Sequence, residues 1–94
     1  YRLGMPAVVN HAAETPFSPE AALSTLGAAG VIEHLRPRSA SEDFAYFLEQ
    51  RPGAFLFIGA GEGPPLHSPR YDFNDALIAP AATYWTRLAE RFLA

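Results

Sequence analysis

His67 stands in the run Pro64-Pro65-Leu66-His67-Ser68-Pro69, just past Ala54 to Ile58, a stretch that is apolar on both alternating faces. A strand with that pattern is covered on both sides, and ligand sites in open α/β sheets gather beyond the carboxyl ends of their strands. An imidazole delivered there can donate a nitrogen to a metal ion. The position also suits an ordinary surface-loop histidine, and the local residues leave both readings open. Glu42 and Asp43 are the second chemical candidate, as a carboxylate pair for acid/base work or for steadying a metal-bound histidine from behind. Two acids in the first turn of a helix are equally what the helix dipole favours. His11 and His34 have no comparable setting and read as solvated or structural.

Other patterns fall short of a site. Gly59-Ala60-Gly61-Glu62-Gly63 follows the apolar stretch as a phosphate cradle would, but no lysine follows and Pro64-Pro65 stands where the helix should start. Asp72, Asn74 and Asp75 offer oxygen ligands without the glycine and terminal glutamate of an EF-hand loop. Turn formation and helix capping account for them. Ser68 lacks the glycine-flanked elbow and the third partner that a nucleophilic serine needs.

The elements that must position these residues follow from periodicity and punctuation. Met5 to Asn10 is a short β-branched run broken by Pro6, which predicts an edge or terminal strand, and His11 to Phe17 is a linker. Ser18-Pro19-Glu20 supplies a cap hydroxyl, a first-turn proline and an acid, so a helix starts there and stops at Gly27 to Gly30. Val31-Ile32 begins a short strand. Ser39-Ala40-Ser41-Glu42 starts a second helix, with either serine as its cap, that buries Phe44, Phe47 and Leu48 and ends at Pro52-Gly53. Ala54 to Ile58 is a central strand, which requires neighbouring strands that this chain hardly supplies. After a loop from Gly59 to His67 and an irregular stretch from Ser68 to Asp75, Pro80 opens a last helix whose buried face carries Tyr84, Leu88 and Phe92, broadened by Trp85.

Composition bounds the class. Ninety-four residues make one compact domain or a piece of a larger one, and 49% hydrophobic, 18% charged and 13% aromatic residues are the mix of a globular core. A chain of that size is expected to bury about 60 to 65% of the surface it exposes when unfolded, which leaves its independent stability marginal. No cysteine is present, so no disulfide compensates and no thiolate binds a metal. A formal charge of -3 gives no footprint for nucleic acid or an anionic membrane. No apolar run approaches the ~20 residues of a membrane helix, and Tyr1-Arg2-Leu3-Gly4 lacks the core of a signal peptide, so a cytoplasmic location is the expectation. The chain starts without methionine in what reads as mid-strand, which suggests truncation at that end.

Several runs, taken together and in order, resemble the C-terminal part of the metal-dependent amidohydrolases and peptidases of the hippurate hydrolase, N-acyl-L-amino acid amidohydrolase and carboxypeptidase family. They are Ser41-Glu42-Asp43-Phe44-Ala45-Tyr46, then Pro52-Gly53-Ala54-Phe55-Leu56-Phe57-Ile58-Gly59, then Leu66-His67-Ser68-Pro69-Arg70-Tyr71-Asp72-Phe73-Asn74-Asp75. Pro6-Ala7-Val8-Val9-Asn10 resembles the last strand of the family's inserted lid domain, and the helix with Trp85 its closing helix.

The resemblance implies an α/β fold. Residues 1–13 would end a lid and dimerisation domain, and residues 14–94 would be the C-terminal part of a split catalytic domain, ordered helix-helix-strand-helix. It implies two divalent ions, of zinc, manganese, cobalt or nickel, that activate a water against the amide carbonyl of a small N-acyl amino acid, and a homodimer when intact. By the same resemblance His67 is a metal ligand, Glu42 and Asp43 support the ligands or shape the pocket, and Asn10 is a lid-side pocket candidate. The family's other ligands, in an Asp-Cys-Gly-His-type motif, a paired-glutamate motif and a further histidine, are absent from this chain. One imidazole does not hold a catalytic ion, so the chain alone is expected to be inactive and to bind metal poorly. The alternative from a different class is a noncatalytic α/β module whose apolar strand and aromatic helix dock on a partner.

Overall fold

Three α-helices and two short 3-10 turns form the regular structure of residues 4–94, which are those described by the computed structural model. The start of the expected lid segment and the first residues of Tyr1 to Gly4, read above as mid-strand without a signal peptide, lie outside the described residues.

Helix α1 covers Phe17–Leu26. It begins one residue before the expected cap: Pro16 takes the cap position without a side-chain bond, and Ser18 is buried inside the first turn. The end falls where the glycines predict it. Gly27 adopts φ 73°, which favours a residue without Cβ, and its N–H donates to the Leu23 carbonyl at 2.9 Å. A 3-10 turn at Ala28–Gly30 follows, and Val31 continues extended without a strand partner.

Helix α2 covers Phe44–Gln50. Asp43, and neither serine, occupies its cap position, and the carboxylate of Glu42 accepts from the Phe44 N–H at 3.1 Å. Arg51 turns extended ahead of Pro52, as a residue before proline prefers. The buried stripe is Ala45 and Leu48, while Phe47, expected in the core, is 66% exposed. Phe44 links α2 to the apolar stretch, stacking on Phe47 at 5.7 Å and lying 5.5 Å from Phe55.

Helix α3, Ile78–Leu93, has Pro80 in its first turn as expected, where the missing N–H costs no helical bond. A 3-10 turn at Asp75–Leu77 leads into it, capped by Asn74. Helices α1 and α3 pack together, Phe17 meeting Phe92 edge-on at 6.3 Å, and Arg91 pairs with Glu20 between their exposed ends. No α3 residue is fully buried, and Trp85 and Phe92 are 62% and 72% exposed.

Among the described residues there is no strand ladder, so Met5 to Asn10, Val31-Ile32 and Ala54 to Ile58 run without strand pairing. The physical reason is that a strand exists only beside another, and the neighbours that a stretch apolar on both faces requires are not among these residues. A side-chain substitute stands in at one place. Asn10 donates through Nδ2 to the Phe55 carbonyl at 3.0 Å and accepts at Oδ1 from the Phe55 N–H at 2.8 Å. Next to it, the His11 N–H donates to the Gly53 carbonyl at 3.0 Å and the Gly53 N–H donates to His11 Nδ1 at 3.2 Å.

The result is a thin core. The buried apolar side chains among the described residues are Ala21, Ala45 and Leu48. The accessible surface is 8079 Å², where a self-contained protein of this mass exposes about 5,300 Å² and its unfolded chain about 14,800 Å². Burial is therefore about 45%, below the 60 to 65% expected from length. The radius of gyration, 15.0 Å, likewise exceeds the about 12 Å of a compact domain. An open apolar groove of about 300 Å³ runs between α1, residues 54–56 and α3, lined by Phe17, Leu56, Tyr84, Trp85, Leu88 and Phe92. The Tyr84 hydroxyl is buried there and finds no hydrogen-bond partner among the described residues. No helix among the described residues is long and apolar enough to cross a membrane.

Candidate functional site

The loop after the apolar stretch is closed on itself. Its Ala60 carbonyl accepts from Asn74 Nδ2 at 3.1 Å, so the two ends of a compact surface loop meet. Within it the Ser68 N–H donates to the Pro65 carbonyl at 3.0 Å, and the Tyr71 N–H donates to the Ser68 carbonyl at 3.0 Å. The first of these turns has His67 at its third position with φ 71°, and His67 is the one non-glycine residue with positive φ among those described. Glycine or asparagine suits that position, and a side chain there costs about 1–2 kcal/mol. Strained residues persist where surrounding bonds hold them, and they concentrate at functional sites. The imidazole is exposed. Ser68 spends its hydroxyl accepting from the Arg70 N–H at 3.2 Å, a local turn bond that explains the serine without a nucleophilic role.

Of the other candidates, Glu42 and Asn10 are tied to backbone. The Glu42 carboxylate serves the first turn of α2, Asp43 is exposed at its cap, and the Asn10 carboxamide is engaged on both sides by Phe55. No three side chains of His, Asp or Glu gather to hold a metal among the described residues. As a donor, an exposed imidazole fits one position of a divalent ion's shell. The further donors that such an ion needs are not brought to it by these residues.

The sequence pattern of peptidase family M20/M25/M40 matches residues 1–91. The chain belongs to this family. The resemblance to hippurate-hydrolase-type amidohydrolases is thereby borne out, and relatives within reach of the same pattern carry related names. Over 87 residues the chain is 40% identical to YhaA of Bacillus subtilis, named among the amidohydrolases, covering 87% of this chain and 22% of that protein. It is 35% identical over 88 residues to the hippurate hydrolase of Campylobacter jejuni, covering 94% of this chain and 23% of the relative. It is 32% identical over 93 residues to the IAA-amino acid hydrolase ILR1-like 5 of Arabidopsis thaliana, covering 94% and 21%. The chain thus spans less than a quarter of the length of these curated relatives. No solved structure matches it significantly.

In this M20/M25/M40 chain, two residues have larger structural parts than their sequence context shows. Asn74 reads from sequence as a turn and cap residue, and it does accept from the Ala76 N–H at 3.1 Å, but it also clasps Ala60 fourteen positions away. The cap is visible in the spacing of an asparagine two residues before the bonded N–H. Nothing local signals the clasp. His11 reads as solvated or structural, and its bond to Gly53 is the structural outcome.

Proposed function

We propose that this chain is the C-terminal part of a metal-dependent hydrolase that cleaves the amide bond of N-acyl amino acids of the hippurate type. On this reading residues 14–94 finish a split α/β catalytic domain, residues 1–13 end a lid and dimerisation domain, and the intact protein is a homodimer. The observation that carries it is the histidine at position 67, held at positive φ in a closed loop of a chain similar to hippurate hydrolase over 94% of its length. A side chain held where glycine would be easier is the kind of strain that accompanies functional sites, and it supports a role for this imidazole.

His67 supplies one neutral nitrogen donor, and chain outside these residues supplies the remainder of the coordination shell. When bound, a pair of zinc, manganese, cobalt or nickel ions provides Lewis-acid polarisation of the amide and a more acidic water. Glu42 and Asp43 line the approach to the site and support its ligands, and Asn10 sits on the lid side of the pocket. The thin core and the buried, unpartnered Tyr84 hydroxyl favour this reading over an autonomous interaction module, because a self-sufficient module closes its own groove.

The test is release of free amino acid from N-benzoylglycine and N-acetyl amino acids by the intact protein. Chelation abolishes the release and divalent metal restores it, H67A lowers it at least about 100-fold, and residues 1–94 alone show none. Unchanged turnover in H67A, or turnover by the intact protein after complete metal removal, would falsify the proposal.

A further inference from the structure

We propose that Asn74 is a positioning residue that sets His67 for metal binding by closing the loop that carries it. The inference rests on the reading of His67 as a metal donor. The Asn74 carboxamide is divided between two tasks. Its Oδ1 accepts from the Ala76 N–H at 3.1 Å and starts the turn into α3, while its Nδ2 donates to the Ala60 carbonyl at 3.1 Å. One side chain therefore ties the exit of the apolar stretch to the start of the longest helix, and the histidine lies between those two anchors.

The remaining hydrogen bonds across this loop are local. They join Pro65 to Ser68, Ser68 to Arg70 and Ser68 to Tyr71, and they shape the turns without fixing the ends of the loop. Closing such a loop costs chain entropy, and only the Asn74 clasp among these bonds opposes that cost. Next to Ala60, Gly61 takes φ 81°, and a Cβ there would lie 3.9 Å from Asn74 Nδ2, an ordinary contact. Gly61 is thus required by its backbone angle, which turns the chain under the Asn74 amide. With the clasp open, His67 keeps its positive φ within the Pro65–Ser68 turn, but that turn is no longer tied through Asn74 to the apolar stretch and to α3. The imidazole then leaves the direction in which it was held.

The substitution N74D separates the two tasks. An aspartate keeps the acceptor for the Ala76 N–H but loses the donor to Ala60 and sets a negative oxygen against a carbonyl. In the intact protein, the affinity for zinc, read by competition with a chelator, is expected to fall about tenfold in N74D. Amide hydrogen exchange in the metal-free protein is expected to quicken over residues 61–68 and to stay as in wild type over α3. H67A is the control. A loss of zinc affinity in H67A with wild-type affinity in N74D overturns the positioning role alone, as does exchange that spreads through α3, which marks a capping or folding defect. Wild-type affinity in H67A overturns the metal-donor reading, and the positioning role with it.

Discussion

Asn10 does with one side chain what a neighbouring strand does with its backbone, since its amide takes both polar groups of Phe55. From sequence it is a lid-side pocket candidate, and the folded chain occupies its carboxamide with positioning the apolar stretch that leads to His67. Hydrogen bonds of this kind contribute about 0.5–1.5 kcal/mol each, at the lower end when exposed as here. N10A in the intact protein is expected to speed exchange of the Phe55 amide several-fold, and N10D, which keeps the acceptor, to protect it better than N10A. Equal exchange rates in wild type and N10A would remove the clamp from the account. At this scale residue types were readable and contacts were not. A histidine after a buried stretch and an asparagine before a helix announce themselves, but partners 45 positions apart for Asn10 and fourteen for Asn74 depend on how the whole chain folds.

Helices were readable as elements because proline, glycine and acids punctuate them locally. Gly27 ends α1, Pro52 limits α2 and Pro80 falls in the first turn of α3, where their stereochemistry allows them. The cap residues were less so: α1 starts at Phe17 ahead of Ser18, and Asp43 stands at the cap of α2 in place of either serine, differences of one or two residues at helix ends that fray. The strands could not be read to their end at all, since pairing is a property of neighbours. Helix α3 carries the sharpest consequence for stability. Its Tyr84 hydroxyl is buried without a partner among the described residues. In residues 1–94 alone, Y84F is expected to be neutral or to raise stability by up to about 1 kcal/mol, because it removes an unsatisfied group. In the intact protein the same substitution is expected to lower stability by about 1 kcal/mol, through loss of a bond that the rest of the chain supplies. Matching effects in both settings, read by urea unfolding, would argue for a groove that is closed by nothing further.

The molecule as a whole exposes 8079 Å², about half as much again as a self-contained protein of 10.2 kDa. Among the described residues, eighteen large hydrophobic side chains stand exposed beside a core of three apolar residues, more apolar exposure than an independent fold of this size ordinarily leaves. Residues 1–94 in isolation are therefore expected to melt without a sharp calorimetric transition and to self-associate on sizing. A cooperative transition in a monodisperse monomer would instead support an autonomous interaction module. The claim on which function depends is narrower: one imidazole from this chain completes a metal shell built mostly elsewhere. It is tested most directly by the metal content of the intact protein after exhaustive dialysis, wild type against H67A. If His67 is a ligand, the wild type holds two divalent ions per chain and H67A shows a clear deficit. Equal metal content in the two proteins would contradict it.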